Sequence, residues 1–296
     1  MQSLPKSYAA LVAQFSLKAK LLAQLEQEMR QNPNRNWSRW EKEALVSRLR
    51  QADFLQKTTQ IATWFPDEQT RKGYRKHVSF FDAGARYDER AVFGGNRTGK
   101  THCGVYEDVL HLTGLYPDWW KGWRFTHPID MWVATDTAKN TRDILQEKFC
   151  GKPGVPAELG TGMIPRCMFA SSPTTKHGTP NAFESVFVHH VSGGTSTLMF
   201  KSYDQGREAF QGTQQDLIHL DEEPDIEIYS ECSLRLMSTV PGQPNGKLIL
   251  TETPLLGISE LMTSFMPELR PEPAASPLME WDHPDEDSED GIVIDE

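Results

Sequence analysis

Ala91-Val92-Phe93-Gly94-Gly95-Asn96-Arg97-Thr98-Gly99-Lys100-Thr101 is the stretch from which the rest of the chain is read. A short apolar run enters G-x-x-x-x-G-K-T, and a helical stretch follows from Thr101 to about Leu112. The spacing has a mechanical reason. Glycines let successive backbone N–H groups curl around a phosphate, and the helix N-terminus adds its positive end. A lysine at the position of Lys100 reaches the β- and γ-oxygens, and a hydroxyl at Thr101 ligates Mg²⁺. This Walker A loop predicts ATP with Mg²⁺, bound by Gly94, Gly95, Asn96, Arg97, Thr98, Gly99, Lys100 and Thr101. Arg97 adds a guanidinium that either reaches the γ-phosphate or pairs with an acid to set the loop.

Such a loop needs an acid at the end of a second strand. Asp216-Leu217-Ile218-His219-Leu220-Asp221-Glu222-Glu223-Pro224 supplies it. Asp221 is placed to hold Mg²⁺ through water, and Glu222 to polarise the attacking water, with Glu223 as the rival base. A water-activating Glu directly after the metal Asp is the mark of ATPases with an additional strand. His219, inside the run, reads as a packed residue. A third run, Lys247-Leu248-Ile249-Leu250-Thr251-Glu252-Thr253-Pro254, ends in polar residues before a proline. Thr251 and Thr253 read either as a sensor of hydrolysis beside the γ-phosphate or as a plain strand stop. Tyr74, His77 and Tyr87 are aromatics for stacking on adenine or for core packing.

Outward from these motifs, strands are expected near 89–93, 129–134, 185–191, 196–201, 215–220 and 246–251. The third and fourth form a hairpin across Ser192-Gly193-Gly194-Thr195. Helix-length segments separate the others, which predicts a mostly parallel sheet flanked by helices. The fold class is therefore α/β, a RecA-like P-loop NTPase of the additional-strand type with a helical N-terminal lead-in. Leu4, Tyr8, Leu11, Phe15, Leu22, Leu25 and Met29 mark one amphipathic helix, interrupted by Lys18, for packing on its own domain or on a partner. Asn32-Pro33-Asn34 breaks it, and Ser38 with Glu41 is a capping box opening a second helix to about Phe65. The expected division is a helical segment 1–65, an ATPase domain 66–267 and an acidic, Pro-rich tail 268–296.

Composition agrees with a globular protein: 296 residues, 38% apolar and 24% charged. The net charge of −10 is concentrated in residues 268–296, which hold eleven acids against Arg270 alone. Residues 1–90 carry 16 Lys and Arg against 10 Asp and Glu, so the front end is basic and can face nucleic acid. Cys103, Cys150, Cys167 and Cys232 lie far apart, which disfavours a disulfide framework or zinc site and fits a reducing cytosol. No apolar run approaches the roughly 18 residues of a membrane span, and the N-terminus lacks a signal-peptide core.

Together these pieces resemble the ATPase half of a tailed-bacteriophage terminase large subunit, from about Phe65 to Gly257. The carriers are Phe80-Phe81-Asp82-Ala83-Gly84, the phosphate loop with its arginine, and Gly160-Thr161-Gly162-Met163-Ile164-Pro165. Tyr203-Asp204-Gln205-Gly206-Arg207-Glu208-Ala209-Phe210-Gln211-Gly212, the Asp221-Glu222-Glu223-Pro224 strand end and Thr251-Glu252-Thr253-Pro254-Leu255-Leu256-Gly257 complete them. The resemblance implies a motor that hydrolyses ATP to drive double-stranded DNA into the capsid. It assigns hydrolysis to Lys100, Thr101, Asp221 and Glu222, assistance to Arg97, and coupling to Thr251 and Thr253. It further implies a small terminase subunit, a capsid portal, a homo-oligomeric ring on that portal and the host bacterial cytoplasm, with a monomer in free solution left open. Members usually continue into a ribonuclease-H-like nuclease. The acids at 280–296 lie in Pro-rich sequence without strands to fix them, so no nuclease activity is expected of this chain. The alternatives are another P-loop DNA motor of helicase type, or an idle nucleotide-binding assembly subunit or prophage relic. Candidate DNA contacts are Thr135 to Lys139 with Arg142, and the loop carrying Lys201 and Arg207, all toward phosphates.

Overall fold

Apolar runs that end in an acid, a threonine or a proline become strands here, because a strand covered on both faces has no room for polar side chains until it leaves the sheet. The computed structural model describes residues 4–32, 35–254, 257–266 and 268. Among these, seven strands form one sheet: β1 (Glu89–Phe93), β2 (Asp130–Thr135), β3 (Thr174–Thr175), β4 (Phe183–His189), β5 (Thr195–Ser202), β6 (Leu217–Asp221) and β7 (Lys247–Glu252). Their order is β1-β7-β6-β2-β5-β4-β3. The first five in that order run parallel, while β4 is antiparallel to β5 and β3 to β4. Every residue of β6 and of β7 is buried. The expected hairpin is the β4–β5 pair, closing at His189 opposite Thr195.

β7, the last of these strands in chain order, is inserted between β1 and β6. This is the additional strand of the expected fold class. Its register aligns Val92, Thr251 and Asp221 in one row across three strands. The ladder then continues past the strand ends: Gly94 N–H donates to the Glu252 carbonyl (3.2 Å), and Glu222 N–H to the Thr251 carbonyl (2.8 Å). Both candidate loops are thus pinned to β7.

The chain divides into two compact units, Met1–Gly257 and Ile258–Glu296. In the first, α1 (Tyr8–Phe15), α2 (Leu17–Gln31) and α3 (Arg39–Lys57) lead into short α4 (Glu68–Gly73) and α5 (Arg75–Ala83). The expected single stripe over 4–30 is two helices, parted at Ser16, whose hydroxyl donates to the Val12 carbonyl at 2.8 Å. The capping box of Ser38 and Glu41 is formed as read. The helix it opens stops at Lys57, short of Phe65, where the Thr58 hydroxyl donates to the Phe54 carbonyl (2.8 Å) and Thr59 to Leu55 (2.7 Å). Leu11 of α1 and Ile61 are fully buried in the same apolar cluster as Phe81, Tyr106 and Trp120, so the lead-in shares the core beside the sheet.

Helix α6 (Lys100–Thr113) is the axis of that core, and Cys103 through Thr113 are all buried. It carries Glu107, Asp108 and His111 inside, which is tolerable only with partners. Arg90 of β1 supplies one, donating to Glu107 at 2.8 and 3.2 Å and to the Phe80 carbonyl at 2.7 Å. After β2, α7 (Ala138–Asn140) runs through a π turn (Thr141–Gln146) into α8 (Glu147–Cys150), and α9 (Ile226–Leu236) follows β6. The described part of the second unit holds α10 (Glu260–Phe265), capped by Ser259 accepting from Met262 N–H at 3.0 Å. The expected acidic tail lies outside the described residues apart from Glu268. No helix among the described residues is long and apolar enough to cross a membrane.

Candidate active site

At the C-terminal edge of β1 the chain must turn back at once into α6, and the turn is made by left-handed backbone. Gly99 has φ +85°, a conformation that costs glycine nothing. Arg97 has φ +63°, which costs a residue with a Cβ about 1 kcal/mol. The Lys100 ammonium folds back onto its own loop, donating to the carbonyls of Gly94 (2.8 Å) and Gly95 (2.9 Å). Arg97 is exposed, and among the described residues no acid lies within salt-bridge distance of it. The loop encloses a cavity of about 390 Å³ lined by Asn96 to His102, with Lys148, Glu222 and Thr253 on the remaining wall.

That wall is built differently. Asp221 is buried, and its Oδ1 accepts the Thr251 hydroxyl at 2.6 Å. Glu222 turns sharply (φ +65°), and its carboxylate accepts from Thr253, from the backbone N–H at 3.0 Å and the hydroxyl at 3.3 Å. The Tyr203 hydroxyl braces the turn from β5's end, lying within donating distance of the carbonyls of Asp221 (3.2 Å) and Glu222 (2.9 Å). The two threonines therefore each hold one acid.

Behind Asp221 the hydrogen bonds continue inward. His219 Nε2 lies 2.9 Å from the Thr251 hydroxyl, and Nδ1 lies 2.6 Å from Asp108 Oδ2 on α6. All three groups are fully buried. Thr251 gives its proton to Asp221, so it accepts from His219; the imidazole then shares one further proton with Asp108. Burial disfavours a charged ring, yet the Asp108 carboxylate outweighs it and raises the His219 pKa. Gly104 makes the space: a Cβ there would lie 2.3 Å from the His219 ring. His219 is the packed residue expected, and its partners, 111 and 32 positions away, are what the sequence did not reveal. Glu252 is also fully buried, with the Glu223 carboxyl beside its own. Burial, with Glu223 and Glu222 nearby, pushes its pKa up to about 7.

The donor set suits Mg²⁺-ATP. A hydroxyl and a carboxylate are hard oxygen ligands. Thr101 lines the cavity, and Asp221 keeps Oδ2 without a protein partner among the described residues. The loop carbonyls under Lys100 hold an ammonium where phosphate oxygens compete for it. Among the described residues no group of three or more His, Cys, Asp or Glu forms a metal cage of its own.

Other expected residues are placed as follows. His77 sits against the loop, 3.5 Å from where a Cβ on Gly99 would stand, with Tyr74 edge-on to it at 5.4 Å. Tyr87 is exposed. Three of the candidate DNA cations, Lys201, Arg142 and Arg207, have partners within the chain, while Lys139 is exposed. Lys201 lies 4.2 Å above the Trp132 ring and donates to the Ala209 carbonyl, Arg142 pairs with Asp143 at 2.6 Å, and Arg207 pairs with Glu231 at 3.0 Å. The reading of residues missed Trp64, His102 and Lys148. His102 stacks on Trp64 (4.9 Å, 17°), and burial with Lys148 alongside lowers its pKa to about 4, a neutral ring at pH 7. Residue type and spacing carry no signal for such a cluster.

A family model described as terminase large subunit, T4-like-virus type, N-terminal, matches residues 92–288, more than half of the chain. The chain belongs to the terminase large subunit family. Within curated terminases, the large subunit of Salmonella phage P22 is 35% identical over 213 residues, 65% of this chain and 41% of that protein. The chain thus spans about two fifths of that relative's length. Among solved structures, the ATPase domain of the Thermus phage P74-26 large terminase shares 17% identity, with 63% of this chain and 69% of that one covered and a TM-score of 0.36. The large terminase of a thermophilic bacteriophage, solved in complex with ADP, shares 15%, covering 66% and 37%, with a TM-score of 0.33.

Proposed function

We propose that this terminase chain is a Mg²⁺-dependent ATPase and the motor that drives double-stranded DNA into a phage capsid. The observation carrying this reading is that β7 holds the phosphate loop on one edge and both strand-end acids on the other, around one cavity. Lys100 and the N–H groups of Gly94 to Thr101 bind the triphosphate, and Lys100 exchanges its loop carbonyls for phosphate oxygens. Mg²⁺, held by the Thr101 hydroxyl and through water by Asp221, would neutralise charge on the β- and γ-oxygens. Glu222 orients the attacking water and takes its proton, and Arg97 stabilises charge at the transferred phosphoryl. Thr253, bonded to Glu222, and Thr251, bonded to Asp221, transmit loss of the γ-phosphate along β7.

The residues divide for this work into the lead-in 1–65, an ATPase domain 66–267 and the acidic tail 268–296. The partners follow from the family: DNA phosphates, a small terminase subunit, a portal that gathers copies into a ring, and the host bacterial cytoplasm as setting. The test is ATP hydrolysis by the purified chain, with and without double-stranded DNA, beside Glu222→Gln. Wild-type turnover raised by DNA, with at least a hundredfold loss in the variant and retained nucleotide binding, is the expected outcome. Binding without turnover in the wild type would make the chain an idle assembly subunit.

A further inference from the structure

Among the described residues Lys148, unlike Lys100 and Lys201, has no backbone carbonyl as an acceptor for its ammonium. It stands on α8 and lines the phosphate cavity, as Glu222, Thr253 and the loop residues do. Its backbone is fixed, the carbonyl accepting Met163 N–H at 2.7 Å. Its ammonium is half-buried, and among the described residues no carboxylate lies within salt-bridge distance. What it touches is His102, with Nζ 3.2 Å from Nδ1 and 3.4 Å from Nε2. Near-equal distances to both ring nitrogens put the ammonium against the ring rather than in line with one lone pair, a weak contact. The ring is itself held by Trp64. Burial lowers the Lys148 pKa, and Asp221 and Glu147 pull it back up.

A half-buried cation without a direct ion pair is costly to maintain, and the cost is recovered when an anion makes contact. Here the anion has a place, since the same cavity is floored by the phosphate loop. We propose that Lys148 is a further cation of this site and contacts the terminal phosphate of a bound nucleoside triphosphate. The inference rests on the triphosphate reading above. The choice of the terminal phosphate follows from position. Lys100 lies on the loop that holds the inner phosphates, whereas Lys148 reaches the same cavity from α8, with Glu222 also in the lining and the Asp221 carboxylate near enough to act on its charge. A diphosphate leaves the place of the terminal phosphate unfilled. His102, stacked on Trp64, is then the rest that keeps the ammonium at the cavity mouth until the triphosphate enters.

The experiment compares affinities of the full chain for a non-hydrolysable ATP analogue and for ADP, both with Mg²⁺, by calorimetric titration. Lys148→Met keeps the apolar stem, and Lys148→Gln, measured beside it, guards against a packing failure of either; melting curves check folding. The expected result is about a tenfold or greater loss for the triphosphate and less than about threefold for ADP, the size of a lost charge-assisted contact. Equal losses for both nucleotides, or no loss for either, would overturn the proposal. A wild-type chain that binds neither nucleotide would overturn the phosphate-site reading, and the role of Lys148 with it.

Discussion

The two walls of the cavity are held by opposite means. On the loop side, Lys100 bonds only to its own loop, Arg97 is exposed in a strained backbone conformation, and the glycines leave the backbone open. On the acid side, Asp221 and Glu222 are gripped by Tyr203, Thr251 and Thr253, and through Thr251 by a buried histidine and a carboxylate of α6. On the proposed function, the difference follows from what each wall would do. Donors that follow a ligand gain by being adaptable. A carboxylate that orients water gains by being fixed beforehand, since reorganisation at the moment of reaction is what a preorganised site avoids.

This contrast can be broken most severely behind the acids. Gly104→Ala drives a methyl into the His219 ring and is expected to destabilise the chain by about 2–3 kcal/mol, read by denaturant unfolding. Turnover should fall further than nucleotide affinity, because the displaced ring releases Thr251 and with it Asp221. Gly104→Ala combined with His219→Ala should recover much of the stability and none of the turnover; a double variant no more stable than the single would show that the ring is not what the methyl meets.

A smaller effect tests Glu252, where the acid wall crowds its own charge. Its pKa is about 7 in the fold against an ordinary 4.5, so the folded state binds the proton more tightly than the unfolded. Stability is therefore lost as pH rises between those values and is level above them. Glu252→Gln should exceed wild type by about 2 kcal/mol at pH 8 in nucleotide-free protein, and by almost nothing near pH 4.5. A pH-independent difference would mean that Glu252 is not protonated in the neutral range.

The loop wall should give the smallest response. Arg97→Gly relieves a left-handed residue and is expected to leave stability within about 1 kcal/mol of wild type, on the stabilising side, while turnover falls at least tenfold. Loss of stability here would make Arg97 a structural brace and remove the adaptable character of this wall.

What the sequence made legible follows the same division. The loop wall is a contiguous motif, and β1 falls on the expected 89–93 because an apolar run closed by glycines has few other fates. The ends of β6 and β7 were readable for the same reason. The two-residue β3 carries too little pattern to see. The long first helix failed because Ser16 turns its hydroxyl inward to the chain, a choice the hydrophobic spacing does not record. Of the acid wall's supports, Thr251 and Thr253 stood out in the sequence. Their pairing with the acids, and the support from Tyr203, His219 and Asp108 behind them, did not, since these join residues far apart in the chain whose types are ordinary taken singly. Lys201 shows the converse: a lysine on a promising loop, spent on Trp132 and a carbonyl.

The place of β7 has a consequence for how the protein is made. Among the described residues β1 bonds to no strand but β7, and β6 reaches it only through β7. While the ribosome is still short of Lys247, the phosphate loop has been synthesised but hangs from a strand without a neighbour, and the acids stand at an open seam. Pairings of such long sequence separation are slow to form and leave an edge exposed meanwhile. On the proposed function, the nascent chain therefore has no competent nucleotide site until β7 has slid in, and one insertion both joins the sheet and completes the site.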